Sequence, residues 1–428
     1  MVRREELLAY RNINRMSCKG GTLLPRYPKI TPPLTPMPRK VRWHKPDVQL
    51  PSPFILWLDK KDLIYFNEIL QEFVQQVEEQ LGISVEISCA AKPPTGFHLS
   101  LEAEATRFRH DQGYRLEISE QSMRIEAKST VGVALGIQTL LQILLFSGRT
   151  VPTCYITDYP DLDLRGVYVN LFNGGVPRQE TFQEMIRFLS ALKLNRLDIF
   201  LADEAARGLF HDWQKFNIQQ YGINRGVDVV WHHHAVIQKS HDEVLFLPLA
   251  EGKVFTGFGP VSSDQFQEWM LLYQNQTEKG ISFGLHPQTG LTPTLIFLLY
   301  PLVTFAAKAW CQESNTEEEG HAWLDEIYFH ERSGSAAASC RDLAMAVVNP
   351  KDPLQREQWL EIVLREQAQL EYLEFQRTGG KWLLNELQLT CDLLIHYLRN
   401  ESDSMTLTQA YQQYRDRRYL PKTDRSFE

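Results

Sequence analysis

Three adjacent carboxylate pairs, Asp203-Glu204, Asp242-Glu243 and Asp325-Glu326, are the residues whose type and spacing suit acid–base chemistry. Two neighbouring carboxyl groups can divide the roles of proton donor and anionic stabiliser when burial raises the pKa of one of them. Asp203-Glu204 stands in Ala-Asp-Glu-Ala-Ala-Arg and is expected at a solvated helix start, where negative charge suits the helix dipole. Asp325-Glu326 is expected on a solvated helix face. Asp242-Glu243, in Ser-His-Asp-Glu-Val, is the candidate catalytic pair, although Leu245-Phe246-Leu247-Pro248 places it in a loop. A second constellation is His232-His233-His234. On a strand His232 and His234 share a face, and with His241, Asp242 or Glu243 they form a candidate site for Zn2+ or another divalent ion. The plainer reading of the three histidines is a polar strand end, and no cofactor is expected. The six cysteines show no CxxC or other zinc-like spacing and are expected as free or core thiols.

The hydropathy pattern says which elements must position these groups. A strand is expected at 53–59, then a helix over 61–81 with Leu63, Phe66, Ile69, Leu70, Phe73, Val77 and Leu81 on one face. Strands follow at 85–89, 114–118 and 123–127, a helix at 131–145, and a strand at 150–156. This is a small α+β domain. The pattern then changes. A buried-strand run at 164–171, an amphipathic helix at 177–193 and a second strand at 194–201 make a βαβ unit whose spacing suits a parallel barrel. Further strands are expected at 227–231, 253–258 and 281–285, with a helix at 263–279. From 317 to 400 the chain reads as helix.

Asp158-Tyr159-Pro160-Asp161-Leu162-Asp163-Leu164-Arg165-Gly166-Val167 resembles the entry into the barrel of family 20 glycoside hydrolases, the β-N-acetylhexosaminidases. Gly132 to Gln142 resembles the preceding helix of that family. Val176 to Thr181 and Lys193 to Leu197 resemble its first barrel helix and second strand, and Tyr300 to Trp310 its closing helix. The resemblance implies hydrolysis of terminal β-linked N-acetylhexosamines, with the acetamido oxygen of the substrate as nucleophile. It implies an Asp-Glu pair on the fourth barrel strand and an Arg at the first strand that grips sugar hydroxyls, a position Arg165 occupies. Trp231 and Phe258 are the expected aromatic contacts to the sugar. The expected partner is an N-acetylhexosamine-containing glycan or glycoside.

The chain departs from that pattern in one respect of length. A complete (β/α)8 barrel takes about 250 residues and at least about 200. Arg165 to Trp310 spans only 146. At roughly 30 residues per strand–helix unit this allows about five units, and nothing resembles strands three to five. The expected fold is therefore α/β plus α+β: a small α+β N-terminal domain, then a shortened (β/α) TIM-type barrel, then a helical C-terminal region. The expected boundaries are a basic Pro-containing arm at 1–35, the α+β domain at 36–157, the incomplete barrel at 158–312 and the helical region at 313–428. A five-stranded barrel cannot close with the usual tilt and shear. Its open edge is expected to be covered by the C-terminal helices, a partner chain or an oligomer. The activity is expected to be impaired or absent; a metal-dependent hydrolase or a non-catalytic glycan-binding remnant is the alternative.

Composition limits the other classes. With 45 Lys+Arg and 53 Asp+Glu the net charge is −8, which argues against a dedicated nucleic-acid binder. The first fifty residues hold 11 Lys/Arg, 3 Asp/Glu and seven prolines, as a poorly ordered basic arm would. Met1 to Glu6 leads into no apolar h-region, so a cytoplasmic location is expected. Gly280 to Ala307 carries no Lys, Arg, Asp or Glu, but Pro287, Pro293 and Pro301 interrupt it. It is expected as a buried strand and helix, with no membrane span.

Overall fold

The protein is described by a computed structural model for residues 31–61, 63–103, 108–170, 178–200, 212–232, 238–239, 245–246, 253–257, 280–285, 295–311, 317–331, 334–346, 353–373 and 381–399. The first half is built on a seven-stranded mixed sheet in the order β1-β9-β6-β7-β5-β3-β4. Its strands are β1 (Lys40–Trp43), β3 (Phe54–Leu58), β4 (Val85–Ser88), β5 (His98–Glu102), β6 (Tyr114–Ile118), β7 (Met123–Ala127) and β9 (Cys154–Asp158). The alternation in β3, β5 and β6 buries Phe54, Leu56, Leu58, Leu99, Leu101, Tyr114, Leu116 and Ile118. Helix α1 (Leu63–Leu81) adds Phe66, Ile69, Leu70, Phe73 and Val77 to the same core.

Helix α2 (Thr130–Ser147) packs on β6 and β7 and against α1. Ser129 caps its start, the Oγ accepting from Gly132 N at 3.2 Å. Glycine is required at two positions because the helix lies so close to the sheet. A Cβ on Gly132 would meet Gly113 O at 2.6 Å, and one on Gly136 would meet Ile125 Cγ2 at 2.6 Å. By length and composition α2 passes for a membrane-crossing helix, with hydropathy 1.7. Eleven of its residues are buried in this structure.

The strand expected at 150–156 is two strands. Residues β8 (Thr150–Val151) pair with β2 (Val48–Gln49), and β9 pairs with β1 and β6. Pro152 has no N–H for a ladder and separates them. The sequence reading also missed β1, β2 and β5.

The second half holds a five-stranded, all-parallel sheet in the order β12-β11-β10-β16-β15. It comprises β10 (Leu164–Asn170), β11 (Arg196–Phe200), β12 (Asp228–His232), β15 (Lys253–Gly257) and β16 (Gly280–Leu285). Helix α3 (Gln179–Ala191) connects β10 to β11, and α4 (Asp212–Ile223) precedes β12. A two-stranded ladder of β13 (Gln238–Lys239) and β14 (Leu245–Phe246) lies between β12 and β15 in the chain. Helix α5 (Leu295–Trp310) follows β16. Then come α6 (Glu317–Trp323), a π-helical turn at Leu324–Tyr328, α7 (Ala336–Ala346), α8 (Pro353–Gln369) and α9 (Lys381–Arg399). Residues of α3, α5, α7 and α9 share one hydrophobic core with β10, β11 and β12. Trp310 and Cys311, at the end of α5, instead complete the core of the first half.

Asp325 is not on a solvated helix face, as expected from sequence. It is 4% exposed, and its Oδ1 accepts from Ala337 N at 2.7 Å, satisfying an amide in the first turn of α7.

Candidate functional site

The parallel sheet has two faces, and strand alternation decides what each carries. Val167, Val169, Leu197, Ile199, Val229 and Trp231 pack into the core shared with the helices. The alternate positions include Tyr168, Arg196 and Asp198. Asp198 is fully buried, and Arg196 Nε donates to its Oδ1 at 3.0 Å. Tyr168 lies in register with Asp198 on β11 and with Gly284 on β16, and Asp198 with Val230 on β12. The Tyr168 phenol is pushed above its usual pKa by burial and then by the Asp198 carboxylate. This layer therefore offers a phenol that keeps its proton beside an Asp198 side chain held by Arg196. Such groups bind hydroxyls and amides. One turn of the pleat further, Asn170, Phe200 and His232 are in register at the carboxyl edge. Ligands of parallel sheets bind at that edge.

The sequence reading did not single out Tyr168, Arg196 or Asp198. The available signal was the pair of charges two residues apart inside the apolar run 194–201, which must share one face of a strand.

Arg165 is in a different place from the sugar-gripping role expected of it. It stands at the amino end of β10, in register with Ile281 near the start of β16. It is 1% exposed. Its Nε donates to Lys193 O at 3.0 Å, and Nη2 to Lys193 O at 2.9 Å and Gln112 Oε1 at 2.8 Å. Its Nη1 donates to Leu162 O and, at 3.1 Å, to Asp163 O. All five N–H bonds of the guanidinium are thus spent on this chain. The group also stacks over Trp310, 4.8 Å from the ring centroid. Arg165 ties the two halves of the fold together at the amino end of β10.

Trp231 also departs from its expected role. It sits near the carboxyl end of β12, but on the helix-facing side, edge-on to Phe182 of α3 at 6.0 Å between ring centroids.

Asp242, Glu243, Phe258, His234 and His241 lie outside the described residues, as do Asp203 and Glu204. The backbone of His232 ends β12; its side chain is outside the described set. Among the described residues no group of three or more His, Cys, Asp or Glu is placed to hold a metal ion.

Residues 31–159 match the family model described as glycosyl hydrolase family 20, domain 2. Over these residues the chain is similar to that family. A β-hexosaminidase subunit beta of Entamoeba histolytica is 28% identical over 142 residues, which cover 28% of this chain and 25% of that protein. A β-hexosaminidase of Vibrio vulnificus is 24% identical over 110 residues, covering 26% of this chain and 13% of that one. The match thus spans a quarter or less of these curated relatives. The solved structure described as CpGH84D aligns over 92% of this chain and 97% of its own, at 11% identity and a TM-score of 0.50. That likeness concerns the fold alone. The family match covers the seven-stranded sheet and stops just before β10, so the parallel sheet must be read from its own residues.

Proposed function

We propose that this chain is a carbohydrate-binding protein of the β-N-acetylhexosaminidase type in which hydrolysis is impaired or lost. Its ligand is a terminal N-acetylhexosamine, bound at the carboxyl edge of the parallel sheet above Tyr168 and Asp198. The observation that carries the reading is the strand order. Numbered along the chain, the five parallel strands run 3-2-1-5-4, so the first pairs with the last. In a closed ring of parallel strands the first strand always has the last as a neighbour. The order therefore suits a barrel interrupted between its third strand and its last two. The resemblance assigns the catalytic Asp-Glu pair to the fourth strand, which falls in that interruption. The layer that remains supports binding: Asp198 is held by Arg196, and Tyr168 keeps its proton.

The test is hydrolysis of 4-nitrophenyl N-acetyl-β-glucosaminide between pH 4 and 8, alongside calorimetric or NMR titration with N-acetylglucosamine. The expected result is saturable binding without turnover, with binding weakened at least fivefold in Asp198→Asn. Turnover that disappears when one carboxylate is changed to its amide would overturn the loss of hydrolysis. Absence of any binding by folded protein would overturn the glycan reading as well.

A further inference from the structure

Strand β12 ends the parallel sheet, and among the described residues no strand pairs with its outer side. Asp228 N donates to Asn195 O, on the β11 side, at 2.9 Å. Backbone groups alternate along a strand, so residues 229 and 231 turn their N–H and C=O outward. Gln219 of α4 marks that outer side, its Nε2 donating to Val229 O at 3.1 Å. The sheet-facing side of α4 is set by Ile218, which is buried, and by Gly222, where a Cβ would meet Val229 Cγ2 at 2.5 Å. Each residue advances the helix by about 100°, so Phe216 and Ile223 lie just beyond Gln219, on the flank next to the open edge. They are 62% and 58% exposed. In a barrel of parallel strands the next helix of the ring packs on that flank. Here an unpaired strand edge and an exposed apolar helix flank lie side by side, and such a combination marks an interface.

The order Asp228-Val229-Val230-Trp231-His232 says what this edge fits. Turned antiparallel on a copy of itself about Val230, it sets Asp228 opposite His232 and Val229 opposite Trp231, each pair twice. A carboxylate then stands across from an imidazole, an attractive cross-strand pair, and the Asp228 side chain is 60% exposed. The helix-facing residues of both strands stay on one side of the joined sheet. Residues 229 and 231 become hydrogen-bonded pairs; Val229 O keeps a second lone pair beside the one Gln219 uses. The helices agree with this arrangement. A helix that crosses over from β11 to β12 lies above the space between them. Two copies of α4 then come about two strand spacings, ~10 Å, apart, which is the distance of packed helices. We propose that the protein is a twofold dimer in which β12 pairs with β12 of a second copy and the Phe216–Ile223 flank of α4 packs on its counterpart. The same patch serves on both subunits, as a closed twofold interface requires. The proposal rests on the open edge of the sheet and does not depend on glycan binding.

The test is sedimentation of the full chain under reducing conditions, at protein concentrations up to about 100 μM, followed by cross-linking. The wild-type protein is expected to sediment with twice the mass of one chain. Phe216→Glu combined with Ile223→Glu changes only exposed positions, so the variant should keep its circular dichroism and sediment as a monomer. Val230→Cys supplies the register. Residue 230 would face its own copy in a non-hydrogen-bonded pair with Cα atoms about 4.5 Å apart, within disulfide range. Oxidised glutathione should join two Val230→Cys chains through one disulfide, and should leave the wild type and the Val230→Cys, Phe216→Glu, Ile223→Glu chain unjoined. A wild-type protein that stays monomeric throughout overturns the second copy as the occupant. A dimer that survives both Glu substitutions, or that does not cross-link at 230, overturns this interface. So do assemblies that keep growing with concentration, since an edge closed about a twofold axis leaves no β12 to extend.

Discussion

Lys193 Nζ lies 2.9 Å from Asp158 Oδ2, and both side chains are buried. The pair closes the junction between the two halves of the fold. Asp158 also accepts from Tyr114 Oη at 2.8 Å, Trp310 Nε1 at 2.9 Å and Arg39 N at 3.1 Å, so strand, helix and turn all end on one carboxylate. Lys193 reaches it because its φ of +57° turns the chain sharply after α3. Burial lowers the pKa of the ammonium, and Asp158 opposes that shift. Removing one partner of such a pair leaves the other charge buried alone, which costs about 3–5 kcal/mol. Asp158→Asn is expected to lose that much in urea unfolding. Lys193→Met in the same background should add much less than it costs by itself. Additive losses in the double variant would show that the two charges do not act as a pair.

Arg165 gives a second test of what this junction does. Arg165→Lys keeps the charge but replaces five fixed donors by three on a flexible stem. Each buried carbonyl left without its donor is expected to cost about 1–3 kcal/mol. The melting temperature should fall while the affinity of the folded protein for N-acetylglucosamine stays unchanged. A variant that keeps its stability and loses the sugar would return Arg165 to the ligand site.

Much of this fold was legible in the sequence, and the reasons differ between its parts. The parallel strands were found within a residue or two at each end because they are near-continuous apolar runs, such as Val167-Tyr168-Val169. β5 alternates over only five residues, His98–Glu102, and was missed among short polar neighbours. The site was harder to read. Arg165 and Trp231 were assigned by their neighbours along the chain, whereas their roles follow from which end of a strand and which face of a sheet they occupy. Those are set by pairing register, which a single sequence does not state. Asp198 shows the same limit from the other side: its partner Arg196 is two residues away, yet Tyr168 comes from another strand.

The close approach of α2 to its sheet predicts an ordered pair of losses. Ala in place of Gly gains up to about 1 kcal/mol of helix propensity. Against this stands overpacking, which costs about 1–3 kcal/mol. At Gly132 the new Cβ meets Gly113 O at 2.6 Å and Ala127 Cβ at 2.7 Å, and neither is the end of a flexible side chain. At Gly136 it meets Ile125 Cγ2, which can rotate away in part. Gly132→Ala is therefore expected to lose about 1–2 kcal/mol net, and Gly136→Ala less. Thermal and chemical unfolding of the two variants checks the order; a more stable Gly132→Ala would mean that the helix can shift off the sheet.

Glu366 in α8 makes stability depend on pH with a definite sign. It is 4% exposed and accepts from Ser339 Oγ at 2.7 Å and from Arg365 Nη2 at 3.0 Å. Burial raises its pKa, and the nearby Asp342 carboxylate raises it further, against the pull of Ser339 and Arg365. The folded state therefore holds this proton at pH values where the unfolded chain, titrating near 4.5, has released it. A native state that binds more protons loses stability as pH rises. The contribution is fully present below about pH 4.5 and is lost as pH climbs through the raised value. Glu366→Gln carries no such proton, so its stability relative to wild type should climb between pH 4.5 and 7, at up to about 1.4 kcal/mol per pH unit inside the window. The charged contact to Arg365 forms only as Glu366 ionises and is already part of its net shift, so the slope of the difference is the quantity to measure by urea unfolding. A difference that falls with pH would mean that Arg365 outweighs burial and that the carboxyl is the stronger acid in the fold.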